Sequence, residues 1–263
     1  MIHSPLHVQA AAWANIDPDP GTAGQINRAL EHDDTEALDA WFGRRLDFGT
    51  AGLRGPVGPG PNRMNKLLVR QTAAGFGRWL GEAPVIVAYD GRADSAQFAR
   101  EAVRALAGAG CEVALFNEPI PTPLLSFAVE RLEAGGGMMI TASHNPPADN
   151  GIKLFGSEGA QLLPEQEVEV ATQINKVLMN GGGPPLVGED DPGIASVGPG
   201  IRSAYVSSVV GHCRTGHRDV SVVHTSLHGV AGPIRKSKQA FLEWRCRSSS
   251  KIRAIPRGHH EMH

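Results

Sequence analysis

Apolar residues along this chain fall into two alternating rhythms. Short unbroken runs occur at Val85-Ile86-Val87-Ala88-Tyr89, Val113-Ala114-Leu115-Phe116 and Gly137-Met138-Met139-Ile140. Each is too short for a helix and is bounded by turn-forming or charged residues, the pattern of a buried strand. Between them run longer segments of helical spacing. Asp94 or Ser95 caps a helix to about Ala109, and Pro121-Thr122-Pro123 opens another through Arg131. Strand, helix, strand, helix, strand predicts a parallel sheet with right-handed crossovers.

Upstream, Asn65 to Leu80 reads as a helix. Trp13 to Leu46 reads as helical after the turn Asp17-Pro18-Asp19-Pro20, with Leu30, Ala37, Leu38 and Trp41 at helical spacing. The glycines of Phe48-Gly49-Thr50-Ala51-Gly52-Leu53-Arg54-Gly55 mark a loop of unusual backbone geometry. Downstream, Gly151 to Phe155 reads as a short strand and Pro164 starts a helix to about Met179. Gly181-Gly182-Gly183-Pro184-Pro185 is a linker. A second unit is expected from a helix at 201–210 and a strand at Val220-Ser221-Val222-Val223-His224, with the boundary placed near residue 190.

Composition narrows the setting. The chain has 263 residues and a formal charge of -2, which gives no overall attraction to nucleic acid or an anionic membrane. Cys111, Cys213 and Cys246 are odd in number and far apart, so a disulfide framework is not expected and a reducing cytoplasm is. The start shows no signal-peptide pattern, and no apolar run approaches the ~20 residues of a membrane span. The charge is uneven: residues 235–263 hold eight Lys/Arg and two Glu, whereas the first 234 residues hold seventeen Lys/Arg and twenty-five Asp/Glu. The sequence fixes no oligomeric state.

The chemistry centres on Thr141-Ala142-Ser143-His144-Asn145-Pro146, which directly follows a predicted strand. Residues there face the crevice beyond the carboxyl ends of the strands, where α/β sheets bind ligands. A Ser-His pair at a strand end can simply close a turn. A serine hydrolase is disfavoured, because adjacent side chains on an extended loop point apart and the G-x-S-x-G elbow is absent. A phosphorylatable serine fits better, since its phosphate needs cations, and Lys153 and Arg54 are candidates.

Ile140-Thr141-Ala142-Ser143-His144-Asn145-Pro146-Pro147, with Asn150-Gly151-Ile152-Lys153, resembles the active-site serine motif of the α-D-phosphohexomutases, the phosphoglucomutase and phosphomannomutase superfamily. Residues 48–55 and Asn62-Arg63-Met64-Asn65 resemble the amino-terminal loop of its phosphoglucomutase-2-like and actinobacterial phosphomannomutase branch. Tyr89-Asp90-Gly91-Arg92 is similar to the D-x-R turn, and Thr225-Ser226-Leu227-His228-Gly229 to the start of the second domain.

The resemblance implies a three-layer α/β/α domain over residues 48–190 with a mixed, mostly parallel sheet. An amino-terminal helical extension (1–47) would precede it, and the start of an incomplete second α/β domain (200–234) would follow. It implies interconversion of hexose 1- and 6-phosphates, with Ser143 as phosphoserine, hexose 1,6-bisphosphate as activator and Mg²⁺ as cofactor, one metal ligand being the phosphate on Ser143. His144 and Lys153 would polarise that phosphate. Arg54, Thr50 and Asn145 would bind substrate phosphate, and Arg92 would either do the same or remain a surface turn residue. His228 reads more simply as structural, and Glu189-Asp190-Asp191 as a solvated linker.

The chain departs from the family in length, at about half, and the Asp-x-Asp-x-Asp metal loop occurs nowhere in it. The sugar-specificity and phosphate-clamp loops of the family are also missing. After Ile234 no helical or alternating period persists and the charge changes sign, so residues 235–263 read as an aberrant basic tail from a reading-frame shift rather than a nucleic-acid contact. The expectation is a truncated phosphohexomutase with negligible turnover of its own. The alternative is a non-catalytic phosphosugar-binding or interaction remnant.

Overall fold

The computed structural model describes residues 4–49, 52–212 and 229–235. Six strands, β1 (Leu53–Pro56), β2 (Val85–Tyr89), β3 (Val113–Leu115), β4 (Gly136–Ile140), β5 (Asp149–Gly156) and β6 (Ile194–Ser196), form one sheet in the order β1-β5-β4-β2-β3-β6. β2 pairs in parallel with β3 and β4, and β6 in parallel with β3. β5 runs antiparallel to both β4 and β1. The sheet is mixed and mostly parallel, as expected.

The helices are α1 (Pro5–Ile16), α2 (Pro20–Glu31), α3 (Thr35–Phe42), α4 (Lys66–Leu80), α5 (Ser95–Gly108), α6 (Thr122–Arg131), α7 (Pro164–Met179), α8 (Gly200–Gly211) and the single turn α9 (Gly232–Arg235). Strand alternation sorts the core into layers. Val85, Val87 and Tyr89 of β2 join Leu68, Phe76, Leu106 and Ile174 on the face covered by α4, α5 and α7. Ile86 and Ala88 join Leu124, Leu125 and Val129 of α6 on the other face, with Ile201 of α8. Every residue of β2 and β4 is buried, which explains their unbroken apolar runs.

Four differences from the sequence reading have local causes. The amino-terminal helices begin before Trp13: α1 starts at Pro5, where the Ser4 hydroxyl accepts from the His7 amide. The glycine-rich segment after Phe48 is not all loop, because Leu53–Pro56 pairs with β5 as an edge strand. Proline is tolerated there because its missing N–H costs no inner ladder bond. The predicted cap of α5 is Asp94 by position only, with no side-chain hydrogen bond to the helix. The sheet also runs past the boundary placed near residue 190, since β6 is its sixth strand and the Phe127 and Tyr205 rings join α6 to α8 at 5.5 Å. The predicted strand at 220–224, His228 and the tail at 236–263 lie outside the described residues.

The amino-terminal helices are pinned to the α/β unit. Asp19 caps α2 and pairs with Lys66 at 2.9 Å, and that bond holds the Asp19 carboxyl below its usual range. Trp13 meets Phe42 edge to face, and Gln71 of α4 donates to the Gly182 carbonyl, tying down the glycine linker. No helix among the described residues is long and apolar enough to cross a membrane.

Candidate active site

The sequence after β4 stays paired for one more residue, the Thr141 amide donating to the Gly151 carbonyl at 2.9 Å. It then turns sharply, and Ser143 has φ 54°, in the left-handed region. For a residue with a side chain this costs about 1 kcal/mol or more and persists only where the surroundings hold it. The Ser143 amide donates to the Thr141 hydroxyl at 3.0 Å, and that hydroxyl donates to Asp90 Oδ2 at 2.7 Å. The other Asp90 oxygen accepts from the Ser95 hydroxyl at 2.6 Å and the Arg92 amide at 3.1 Å. Asp90 follows β2 and Ser143 follows β4, neighbouring parallel strands, so both lie off adjacent carboxyl ends of the sheet. Ser143 and His144 are exposed.

Two cations sit on the antiparallel edge strands next to this turn, and one of them, Arg54, reaches it. Arg54 on β1 lies opposite Gly151, and Lys153 lies two residues along β5, so the register puts both on one face of the sheet as a diagonal pair. Burial holds the Lys153 ammonium below its usual range, and the Arg54 charge adds to the effect. Arg54 also donates to Asn145 Oδ1 at 3.3 Å, and the Asn145 amide donates to Asp149 at 2.9 Å. Two glycines make room for the pair. A Cβ on Gly52, which has φ 89°, would lie 2.4 Å from the Ile152 carbonyl oxygen and 3.2 Å from Lys153 Cγ. A Cβ on Gly151 would lie 2.9 Å from Arg54 Cγ. An exposed hydroxyl on a rigid turn beside two cations can hold an anion.

A family model described as phosphoglucomutase/phosphomannomutase, alpha/beta/alpha domain I, matches residues 45–180. The chain belongs to this family. The matched span runs from the start of the glycine-rich segment through α7 and contains each of these groups.

Among relatives of this phosphomutase-family chain, a Staphylococcus epidermidis phosphoglucomutase is 41% identical over 84% of the chain and 41% of its own length. A Pongo abelii phosphopentomutase is 34% identical over 86% of the chain and 40% of its own length. A solved phosphoglucomutase/phosphomannomutase family protein from Burkholderia thailandensis shares the fold, with TM-score 0.56, 22% identity and coverage of 76% of this chain and 42% of that one. The chain thus spans about two fifths of the length of these proteins.

Of the expected site residues, Ser143, His144 and Asn145 share the turn after β4, Arg54 reaches it through Asn145, Lys153 lies on β5 opposite Met139 and on the same face as Arg54, and Thr50 lies outside the described residues. For Arg92 the sequence leaves a phosphate ligand and a turn residue open, and its contacts are those of a turn residue. Its Nη1 donates to the carbonyls of Pro146 (2.7 Å) and Asp149 (2.8 Å), and its Nη2 to those of Ser143 (3.1 Å) and Asn145 (2.8 Å). Its Nε faces Asp90 Oδ2 at 3.4 Å. Here the guanidinium is taken up by the backbone of the turn. Sequence reasoning assigned no role to Asp90 or Thr141. The signal was their position directly after two strand runs, but the adjacency of those strands is not written in the sequence.

The described residues hold no ready-made cluster of metal-binding side chains. They contain no group of three or more His, Cys, Asp or Glu side chains placed to hold a metal ion. Asp90 is committed to Ser95, Thr141 and Arg92.

Proposed function

We propose that this chain carries the phosphoryl-relay serine of a phosphosugar mutase acting on hexose phosphates. Ser143 Oγ takes a phosphoryl group from a hexose 1,6-bisphosphate, releasing the monophosphate, and gives it to the free hydroxyl of a hexose monophosphate. The observation that carries this reading is the exposed Ser143, fixed in a left-handed turn whose Asn145 holds Arg54, with Lys153 on the same sheet face as that arginine. Phosphoryl transfer depends chiefly on alignment and charge neutralisation, which a rigid turn and two cations supply. His144 and Lys153 would steady the phosphate and move the proton of the accepting hydroxyl, while Arg54 and Asn145 bind its oxygens.

The test is to incubate the chain with glucose 1,6-bisphosphate and Mg²⁺ and map phosphate by mass spectrometry. Modification at Ser143, lost in Ser143→Ala, is the expected result. Modification elsewhere, or a full-length relative with the same loop that stays unmodified, overturns the proposal. Steady turnover of glucose, mannose or pentose phosphates by this chain is expected to be negligible, because it spans about two fifths of its relatives and its described residues lack a carboxylate cluster. The same facts favour a second reading, a phosphosugar-binding remnant. Ligand-induced stabilisation that survives Ser143→Ala, with no phosphate acquired, selects it.

A further inference from the structure

Arg92 is 14% exposed, yet its four terminal N–H groups all go to backbone carbonyls of one short segment. Those carbonyls, of residues 143, 145, 146 and 149, span the whole turn from the exposed serine to the first residue of β5. They would otherwise diverge into solvent, and converging them closes the segment around one planar cation. The cation is aimed by Asp90, which also receives the Thr141 hydroxyl. Thr141 in turn accepts the Ser143 amide, so the turn is held from both its donor and its acceptor sides by one Asp-Arg pair that follows the neighbouring strand β2. Asn150 continues the link, its amide donating to the Ser95 hydroxyl at 3.1 Å.

We propose that Arg92, oriented by Asp90, is a positioning residue that locks Ser143 in its left-handed conformation and thereby sets the readiness of that hydroxyl for phosphoryl transfer, without touching phosphate itself. The second half rests on the reading of Ser143 as the phosphoryl carrier; the first half does not. An arginine is required rather than any cation. A lysine ammonium is a point donor with three N–H groups and does not span four carbonyls in a plane.

The experiment compares the full chain with Arg92→Lys and Thr141→Val. Amide hydrogen exchange over residues 141–151 is expected to quicken at least tenfold in Arg92→Lys, with α4 and β2 unchanged and the melting temperature nearly so. Unchanged protection in Arg92→Lys overturns the proposal, because it means that charge alone suffices. Thr141→Val leaves the arginine in place and removes the acceptor of the Ser143 amide. The same local quickening is expected there, so the lock is tested even if Arg92→Lys fails to fold.

Phosphate incorporation at Ser143 from glucose 1,6-bisphosphate is measured in parallel. A rate at least tenfold lower in Arg92→Lys supports the link to reactivity, and an equal rate refutes it. Absence of incorporation in the wild-type chain counts against the phosphoserine reading, while the exchange data still decide whether the lock exists.

Discussion

Gly151→Ala is the sharpest probe of how the fold holds the site. Gly151 lies in β5 between β1 and the end of β4. A Cβ there would lie 2.5 Å from the Leu53 carbonyl oxygen of β1 and 2.9 Å from the Thr141 carbonyl oxygen at the end of β4. Ordinary contact begins at 3.4 Å, so the Leu53 oxygen alone must retreat by about 0.9 Å. The two oxygens flank β5 on opposite sides, and neither can rotate away as a side chain would. Overpacking of this kind costs about 1–3 kcal/mol. For a unit of this size each kcal/mol lowers the melting temperature by about 2–4 °C. The assay is thermal unfolding, with Gly156→Ala on the same strand as control, because its nearest neighbour would be Leu162 Cδ2 at an ordinary 3.7 Å. Binding of glucose 6-phosphate, measured by calorimetry, should weaken as well, because β1 carries Arg54. Equal melting temperatures for the two variants would refute the reasoning.

Other consequences follow from single groups. Lys153 has a folded pKa below its ordinary value, so between the two values the unfolded chain binds more protons and stability rises with pH; below that window the cost is fully present. In Arg54→Gln the Lys153 titration, followed by ¹³C NMR at Cε, should move upward only part of the way, because burial is the larger cause; titration at or above the ordinary value in the wild type sinks this account. Thr72 is wholly buried and its hydroxyl has no hydrogen-bond partner, so Thr72→Val should raise stability by up to about 1 kcal/mol in a denaturant titration. A clear loss would mean that the hydroxyl is satisfied after all. Lys66→Met should raise the Asp19 pKa and cost under about 1 kcal/mol near neutral pH, read from the carboxyl titration and the melting curve.

The elements that the sequence made legible are those whose signal is local. β2 and β4 are buried on both faces, which writes an unbroken apolar run, and α6 opens on Pro121-Thr122-Pro123. β1 was hidden because glycine and proline carry no strand signal, and its pairing comes wholly from β5. The serine, the lysine and the first arginine stand out in the sequence by their motifs. The role of Arg92 does not, since a charged side chain in a turn reads equally as a phosphate ligand, and only the strand order brings four carbonyls to it. Asp90 was hidden for the same reason.

That strand order also bears on why Ser143 reads as a carrier of phosphate rather than a hydrolytic nucleophile. A hydrolase serine needs a base within hydrogen-bond reach and a third group to orient that base. Two carboxylates border the turn, Asp149, which accepts from Asn145, and Asp90, which is occupied by Ser95, Thr141 and Arg92. Asp90 orders the backbone of the turn instead of a histidine. What remains around the hydroxyl is charge, from Arg54 and Lys153, and rigidity, from the clamp. Positioning and charge are the chief requirements of phosphoryl transfer, whereas acyl chemistry at a serine also needs a base held in line by a third group. Backbone geometry fixed by Asp90 and Arg92, with the Arg54 guanidinium hydrogen-bonded to Asn145 of the same turn, therefore favours a group that arrives already carrying its own negative charge.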